Sequence, residues 1–143
     1  MVEQKDLNEK YIELQILEQQ LKQVTQQLLA LDQQLLELQR IEENIEDVKK
    51  TGKNTDMLVA LGGGIFLKAE IKENNKVLMN VGANVVVEKD ITASKEVISK
   101  QLDQLKDAAK QLEQEFRILA MNSQSAQEEL RQFINAKGAA QQN

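Results

Sequence analysis

A run of three glycines is the first pattern in this chain that could support chemistry. Glycines at 62–64 could cradle a phosphate, but a phosphate loop continues into Lys-Ser/Thr and the start of a helix. Here Ile65 follows and begins an alternating, strand-like segment, so no helix N-terminus would face the phosphate. The run therefore favours a turn between strands over a nucleotide site.

Two pairs of adjacent carboxylates are the second pattern. Glu42-Glu43 and Glu128-Glu129 both lie in segments with helical periodicity, where neighbouring side chains point in different directions and form no pocket. The chain has no histidine and no cysteine, which removes the commonest general base and two common metal ligands. The sequence therefore predicts no catalytic residues, no metal site, no cofactor and no enzymatic activity.

The composition indicates long helices more than a globular core. Aromatic residues make up 3% of the chain, and there is no Trp and no Pro. The net charge is -5, with the acidic excess in residues 1–50, which does not favour nucleic acid. The first residues are charged, and no apolar run reaches the ~18 residues that span a bilayer. We therefore expect no membrane association and a cytoplasmic location.

Two long helices with matching apolar seams flank the middle of the chain. The term seam denotes the positions at alternating spacings of three and four residues, typical of coiled coils. From 7 to 45 only Lys10 and Glu42 are polar at these positions, and from 91 to 137 only Lys95, Ser123 and Lys137 are polar. The extra apolar residues Ile41 and Val48 indicate a local shift of the first seam.

The middle of the chain, residues 51–90, predicts four short strands in two hairpins. Val, Ile and Leu alternate with polar residues here, and turn-forming Gly and Asn interrupt them. Such short strands bury little on their own, and their open edges can pair with another chain. We call this segment the hub and predict that it mediates oligomerisation. Its candidate assembly residues are Val59, Leu61, Ile65, Leu67, Ile71, Val77, Met79, Val81, Val85 and Val87.

Two seams of similar length around a small hub most simply pack as an antiparallel coiled coil. Leu7 then lies near Ile134, and both chain ends meet at one end of the helix pair, here called the tip. Apolar side chains at the tip could hold an exposed hydrophobic segment of another protein, or they could simply close the seam. The candidate binding residues are Val2, Leu7, Tyr11, Ile12, Leu14, Leu130, Phe133 and Ile134. The last residues, 138–143, are expected to fray.

The hub carries a resemblance to a known family. VALGGGIFLKAEI (59–71) is similar to the first hairpin, and NNKVLMNVGANVVVEKD (74–90) to the second hairpin, of alpha-type prefoldin subunits. Ala60 stands where many members have proline, and Asn84 stands where many have glycine. The resemblance implies one prefoldin domain over 1–143, mainly α with a small β hub: a helix in 1–50, two hairpins in 51–90, and a helix with a tail in 91–143.

The resemblance also implies partners and an activity. Two alpha subunits would pair through hub strands that form β-barrels, and four beta-type subunits would join them. The coiled-coil tips would bind non-native client proteins without ATP and pass them to a group II chaperonin. The alternative from the residues alone is a structural coiled-coil spacer whose tip is sealed and which binds no client.

Overall fold

The computed structural model describes residues 4–141, and it contains two helices and two hairpins. Helix α1 spans Gln4–Lys50 and helix α2 spans Ile91–Gln141. Strands β1 (Asp56–Gly62) and β2 (Ile65–Glu70) form the first hairpin. Strands β3 (Lys76–Gly82) and β4 (Val85–Asp90) form the second. The predicted fold class, two long helices joined by two hairpins, is therefore confirmed.

Helix α1 forms because residues 4–50 contain neither Pro nor Gly, and it ends at Lys50. Lys49 and Lys50 lie in its last turn, where cations complement the negative end of the helix dipole. The Thr51 amide then donates to the Asp47 carbonyl at 3.0 Å. Helix α2 continues through Gly138 to Gln141, which is further than the frayed tail predicted from the sequence.

The chain divides into two compact units, and polar contacts join α1 to α2 in each. In the unit of residues up to Gln33 and from Lys106 onward, Lys10 pairs with Glu129 and Gln4 with Lys137. In the unit Gln34–Leu105, Glu46 pairs with Lys95. In the first of these units, residue numbers rise along α1 as those of their partners fall along α2, as the antiparallel pairing predicted.

The predicted seams are the least exposed lines of both helices. Every seam position of α1 from Leu7 to Ile45 is buried or half-buried, with Val24 4% exposed. Ile41 and Val48 are also half-buried, in agreement with the predicted shift of the seam. On α2, however, Phe116 is 36% exposed and Lys137 is exposed, although both occupy seam positions. The buried seam residues of α2 are Ile91, Ile98, Leu102, Ala109, Ser123, Ala126 and Leu130.

The two hairpins are near copies of one unit. In each, the ladder shifts register just before the turn, at Ala60/Gly62 and at Asn80/Gly82. The first turn has φ of 115°, 58° and 79° at its three glycines. The second has 120°, 49° and 60° at Gly82, Ala83 and Asn84. Asn84 thus adopts the left-handed backbone that glycine would otherwise provide.

Short contacts attach the hub to the helix ends. The Asn74 side-chain amide donates to the Thr51 carbonyl at 2.8 Å, which fixes the link between the hairpins beside the end of α1. The Ile91 amide donates to the Asn75 carbonyl at 2.8 Å. In the first turn of α2, the buried Ser94 hydroxyl donates to the Ile91 carbonyl at 2.7 Å. The hub therefore connects directly to both helices with no long linker.

Candidate functional site: an apolar tip and an exposed hub

The start of α1 and the end of α2 lie side by side and form the tip. Two polar contacts join them: Lys10 forms an ion pair with Glu129, and the Lys137 ammonium donates to the Gln4 side-chain oxygen at 2.7 Å. The Lys10 Nζ atom also lies 3.8 Å from Oε2 of Glu13 on its own helix. The hydrogen bond to Glu129 raises the pKa of Lys10 above its ordinary value. These contacts hold the two helices together at the tip.

The predicted binding residues fall into two groups at the tip. Tyr11, Ile12 and Ile134 are 45%, 56% and 47% exposed, so these three project apolar surface away from the seam. Leu7, Leu14 and Phe133 are half-buried, and Leu130 is 8% exposed. Val2 lies outside the described residues. The structure therefore offers three of the candidate side chains to a ligand directly and holds four in the seam.

The predicted assembly residues that have partners in the strand registers share one face of each hairpin. Residues opposite each other in an antiparallel pair lie on the same face, and Val59 is opposite Leu67 as Met79 is opposite Val87. Leu61, Ile65 and Leu67 are all more than half exposed, as are Val81 and Val85. Val59 is 40% exposed. The remaining four, Ile71, Val77, Met79 and Val87, are half-buried.

The structure adds exposed apolar residues that the sequence analysis did not select. On the opposite faces of the hairpins, Leu58 and Phe66 are 62% and 58% exposed, and Leu78 is 74% exposed. The first hairpin therefore presents apolar side chains on both faces. The signal was visible in the sequence, since these residues alternate with the selected ones in strands with few charges.

Apolar residues also lie along the outer surface of the helices. Leu29 and Leu36 are 61% and 60% exposed, and each directly follows a seam leucine in the sequence. Ile118 and Met121 on α2 are similarly exposed. Exposed apolar side chains scattered singly along a helix are common and by themselves indicate no site.

The acidic side chains in the described part of the chain bear on the prediction of no metal site. Residues 4–141 hold no cluster of three or more His, Cys, Asp or Glu side chains placed to bind a metal ion. A groove with a largely apolar lining in the unit Gln34–Leu105 has a volume of about 440 Å³ and is open to solvent. Leucine, isoleucine and glutamine dominate its lining. None of the described helices has an apolar stretch long enough to cross a membrane.

Paired helices and two exposed hairpins are features of a coiled-coil protein with a small β segment. The sequence model of the prefoldin family, described as Prefoldin subunit, matches residues 17–136. The chain therefore belongs to the prefoldin family, whose members are chaperones and not enzymes, and this membership supports a co-chaperone role.

Several curated relatives are alpha-type subunits from archaea. The chain is 25% identical to prefoldin subunit alpha of Archaeoglobus fulgidus over 91% of this chain and 95% of the relative. It is 28% identical to that of Methanococcus aeolicus over 92% of this chain and 89% of the relative. It is 30% identical to that of Pyrococcus horikoshii over 74% of this chain and 72% of the relative. The predicted alpha type is therefore confirmed.

A solved structure confirms the fold. The chain matches a filamentous prefoldin from Methanocaldococcus jannaschii, determined by cryo-electron microscopy, with a TM-score of 0.69 and 20% identity. The match covers 85% of this chain and 98% of that one. At this level of identity the likeness concerns the fold alone.

Proposed function

We propose that the chain is a subunit of an ATP-independent co-chaperone that captures non-native proteins at its coiled-coil tips and passes them to a group II chaperonin. The observation that carries the proposal is the exposure of Tyr11, Ile12 and Ile134 at the end of the paired helices. Apolar groups of this kind suit the exposed hydrophobic segments of unfolded proteins. The subunit acts in the cytoplasm, without cofactor and without catalysis.

The hub assembles the complex in this proposal. The uncharged, exposed face of the first hairpin, with Leu61, Ile65 and Leu67, would lose solvent contact when it meets another chain. A second copy of this chain and four beta-type subunits complete a hexamer whose hairpins form β-barrels. Family membership and the exposed hub residues support this arrangement.

Several tips on one hub explain how weak contacts hold a client. Three partly exposed side chains per tip provide little affinity alone, but tips linked to one hub raise the effective concentration of the second and third contacts. Release remains possible because each contact dissociates independently. The acidic surface of α1 keeps the helices soluble between encounters.

A structural spacer is the second candidate function, and one observation favours it. Leu130 is buried, while Leu7, Leu14 and Phe133 are half-buried, so most of the tip packs as an ordinary seam. A spacer of this kind would be sealed at the tip and would bind fixed partners through its hub.

Aggregation assays on the assembled complex distinguish the two functions. Removal of residues 1–12 and 131–143 should leave assembly intact and abolish the suppression of client aggregation. A milder variant, Ile12→Gln with Ile134→Gln, should weaken suppression markedly while keeping both helices whole.

The matched control is Leu29→Gln with Leu36→Gln, since these two side chains are as exposed as the tip pair but lie elsewhere on α1. Suppression by this control should equal that of the unmodified complex. Full suppression by the trimmed complex would contradict client capture at the tip and favour the spacer.

A further inference from the structure

A lysine interrupts the apolar seam at the tip. Lys10 occupies a seam position between Leu7 and Leu14, and its side chain is 32% exposed. Between Leu14 and Leu31 the seam of α1 has no polar residue. Burying an ammonium group among leucines is unfavourable unless it is paired. The seam is therefore intrinsically weaker at the tip than further along the same unit.

The opposite helix compensates for this weakness with a carboxylate. The Glu129 carboxylate accepts a hydrogen bond from the Lys10 ammonium, and its side chain is 54% exposed. The pair therefore lies at the solvent edge of the seam, where such ion pairs contribute little and are weakened by salt. Beyond it, only the Lys137–Gln4 hydrogen bond joins the described ends of the helices by polar contact.

The residues next to this ion pair are those that an apolar ligand would need. Leu130 adjoins Glu129 in the sequence and is 8% exposed, and Phe133 follows on the next turn and is half-buried. On α1, Leu7 is half-buried one turn before Lys10. While the ion pair holds the helices together, these three apolar side chains cannot offer their full surface.

We propose that Lys10 and Glu129 form a clasp that sets how readily the tip opens, and that opening exposes Leu7, Leu130 and Phe133 to an apolar segment of a client. This inference rests on the proposed function for its ligand, and it adds a specific pair of positioning residues. Lysine in the seam keeps the closed tip marginal, and the ion pair with Glu129 shifts the balance modestly toward the closed tip between clients.

Substitutions on the two sides of the clasp have opposite effects. Lys10→Leu completes the apolar seam, so amide hydrogen exchange in residues 4–14 should slow by about tenfold as the tip closes. Suppression of client aggregation should fall in the same variant. Glu129→Gln removes the ion pair and leaves Lys10 in the seam, so exchange should quicken by roughly two- to fivefold and suppression should not fall.

The matched control is Lys22→Leu, which replaces an exposed lysine of the same unit outside the seam. It adds the same apolar side chain and removes the same charge, but it should leave exchange in residues 4–14 unchanged. Native mass measurements on all variants ensure that the complex is complete. Added salt should quicken tip exchange in the unmodified complex and not in Glu129→Gln.

Each outcome decides between gating and simple packing. Slower exchange in Lys10→Leu with undiminished suppression would overturn the clasp as a gate for clients. Equal exchange rates in all variants would overturn the clasp as a control of tip opening. If the unmodified complex suppresses no aggregation, the proposed function fails, while the exchange rates still show whether the clasp controls opening.

Discussion

At the scale of single residues, Ala83 adopts a backbone conformation that is unfavourable for a residue with a Cβ. Its φ of 49° lies in the left-handed region, which costs an L-residue with a Cβ about 1–2 kcal/mol. The equivalent position in the first hairpin is Gly63, with φ of 58°. The second hairpin is therefore held in the same turn geometry at a higher local cost.

Ala83→Gly should raise the free energy of unfolding by about 0.5–1 kcal/mol, since relief of the strained φ exceeds the added entropy of glycine in the unfolded chain. Chemical denaturation of the assembled protein measures this. Gly63→Ala is the mirror test and should destabilise, although a Cβ there meets no atom within 4 Å. A neutral effect of both changes would show that backbone strain does not matter in these turns.

The ion pair between Glu46 and Lys95 predicts a response to acid. The hydrogen bond that the Lys95 ammonium donates to the Glu46 carboxylate lowers the pKa of Glu46 below the ordinary value of 4.5. The stabilisation is present above that value and is lost as pH falls through the lower pKa of the folded protein. Thermal unfolding from pH 6 to about 3 should show less acid destabilisation for Glu46→Gln than for the unmodified chain. Parallel curves would show that this pair contributes nothing.

At the scale of elements, the seam was the feature most fully predicted from the sequence. A strict spacing of three and four residues leaves few other ways to bury so many leucines, and the structure buries the predicted line of α1 throughout. The exceptions lie on α2, where Phe116 and Lys137 are exposed. Periodicity assigns a residue to a helix face, but it does not show how completely the partner helix covers that residue.

The seam predicts a large difference between two leucine substitutions. Leu102→Ala removes a side chain that is 4% exposed and should lower the free energy of unfolding by about 2–5 kcal/mol. Leu36→Ala removes one that is 60% exposed and should change it by less than about 0.5 kcal/mol. Thermal or urea unfolding of the two variants checks this. Similar costs would show that the helices pack on a different face.

The number and positions of the hairpins were predicted from the sequence, but the exposure of their faces was not. Alternation and turn residues indicate strands, and the registers follow from the turns. Whether a face is covered depends on other parts of the assembly, which local patterns do not encode. Leu58 and Phe66, on the second face of the first hairpin, were visible as apolar residues in the sequence, but their exposure was not.

An assembly test follows from the exposed hub. Leu67→Lys places a charge among the uncharged side chains of the first hairpin and should prevent or weaken subunit association, since a buried unpaired charge is costly. Sedimentation or native mass measurement reports the loss. Lys53→Glu alters charge at an exposed hub position outside the strands and should leave assembly unchanged. Normal assembly of Leu67→Lys would exclude this face from the interface.

At the scale of the whole molecule, the candidate site was only partly predictable. The sequence located the apolar residues of the tip, and the seam spacing separates Ile12 and Ile134, which are exposed, from Leu130, which is buried. How far each side chain is covered depends on the pairing of two helices whose ends are far apart in the sequence. The assignment of residues 1–143 to one domain and the roles of the tip and hub residues remain predictions.

A prediction for the whole molecule concerns the native mass of the complex isolated from its own source. Its native mass should correspond to two copies of this chain with four copies of a second, beta-type chain. A homodimer, or a fixed complex with unrelated proteins, would support the spacer function. The tip residues would then serve only to close the seam.

The central claim is that clients contact the tip, and site-specific photo-crosslinking tests it most directly. A photoreactive amino acid would replace Ile12 in one complex and Leu29 in another, two exposed positions on α1. An unfolded client should crosslink strongly from position 12 and weakly from position 29. Equal yields from both positions, or a higher yield from position 29, would contradict client capture at the tip.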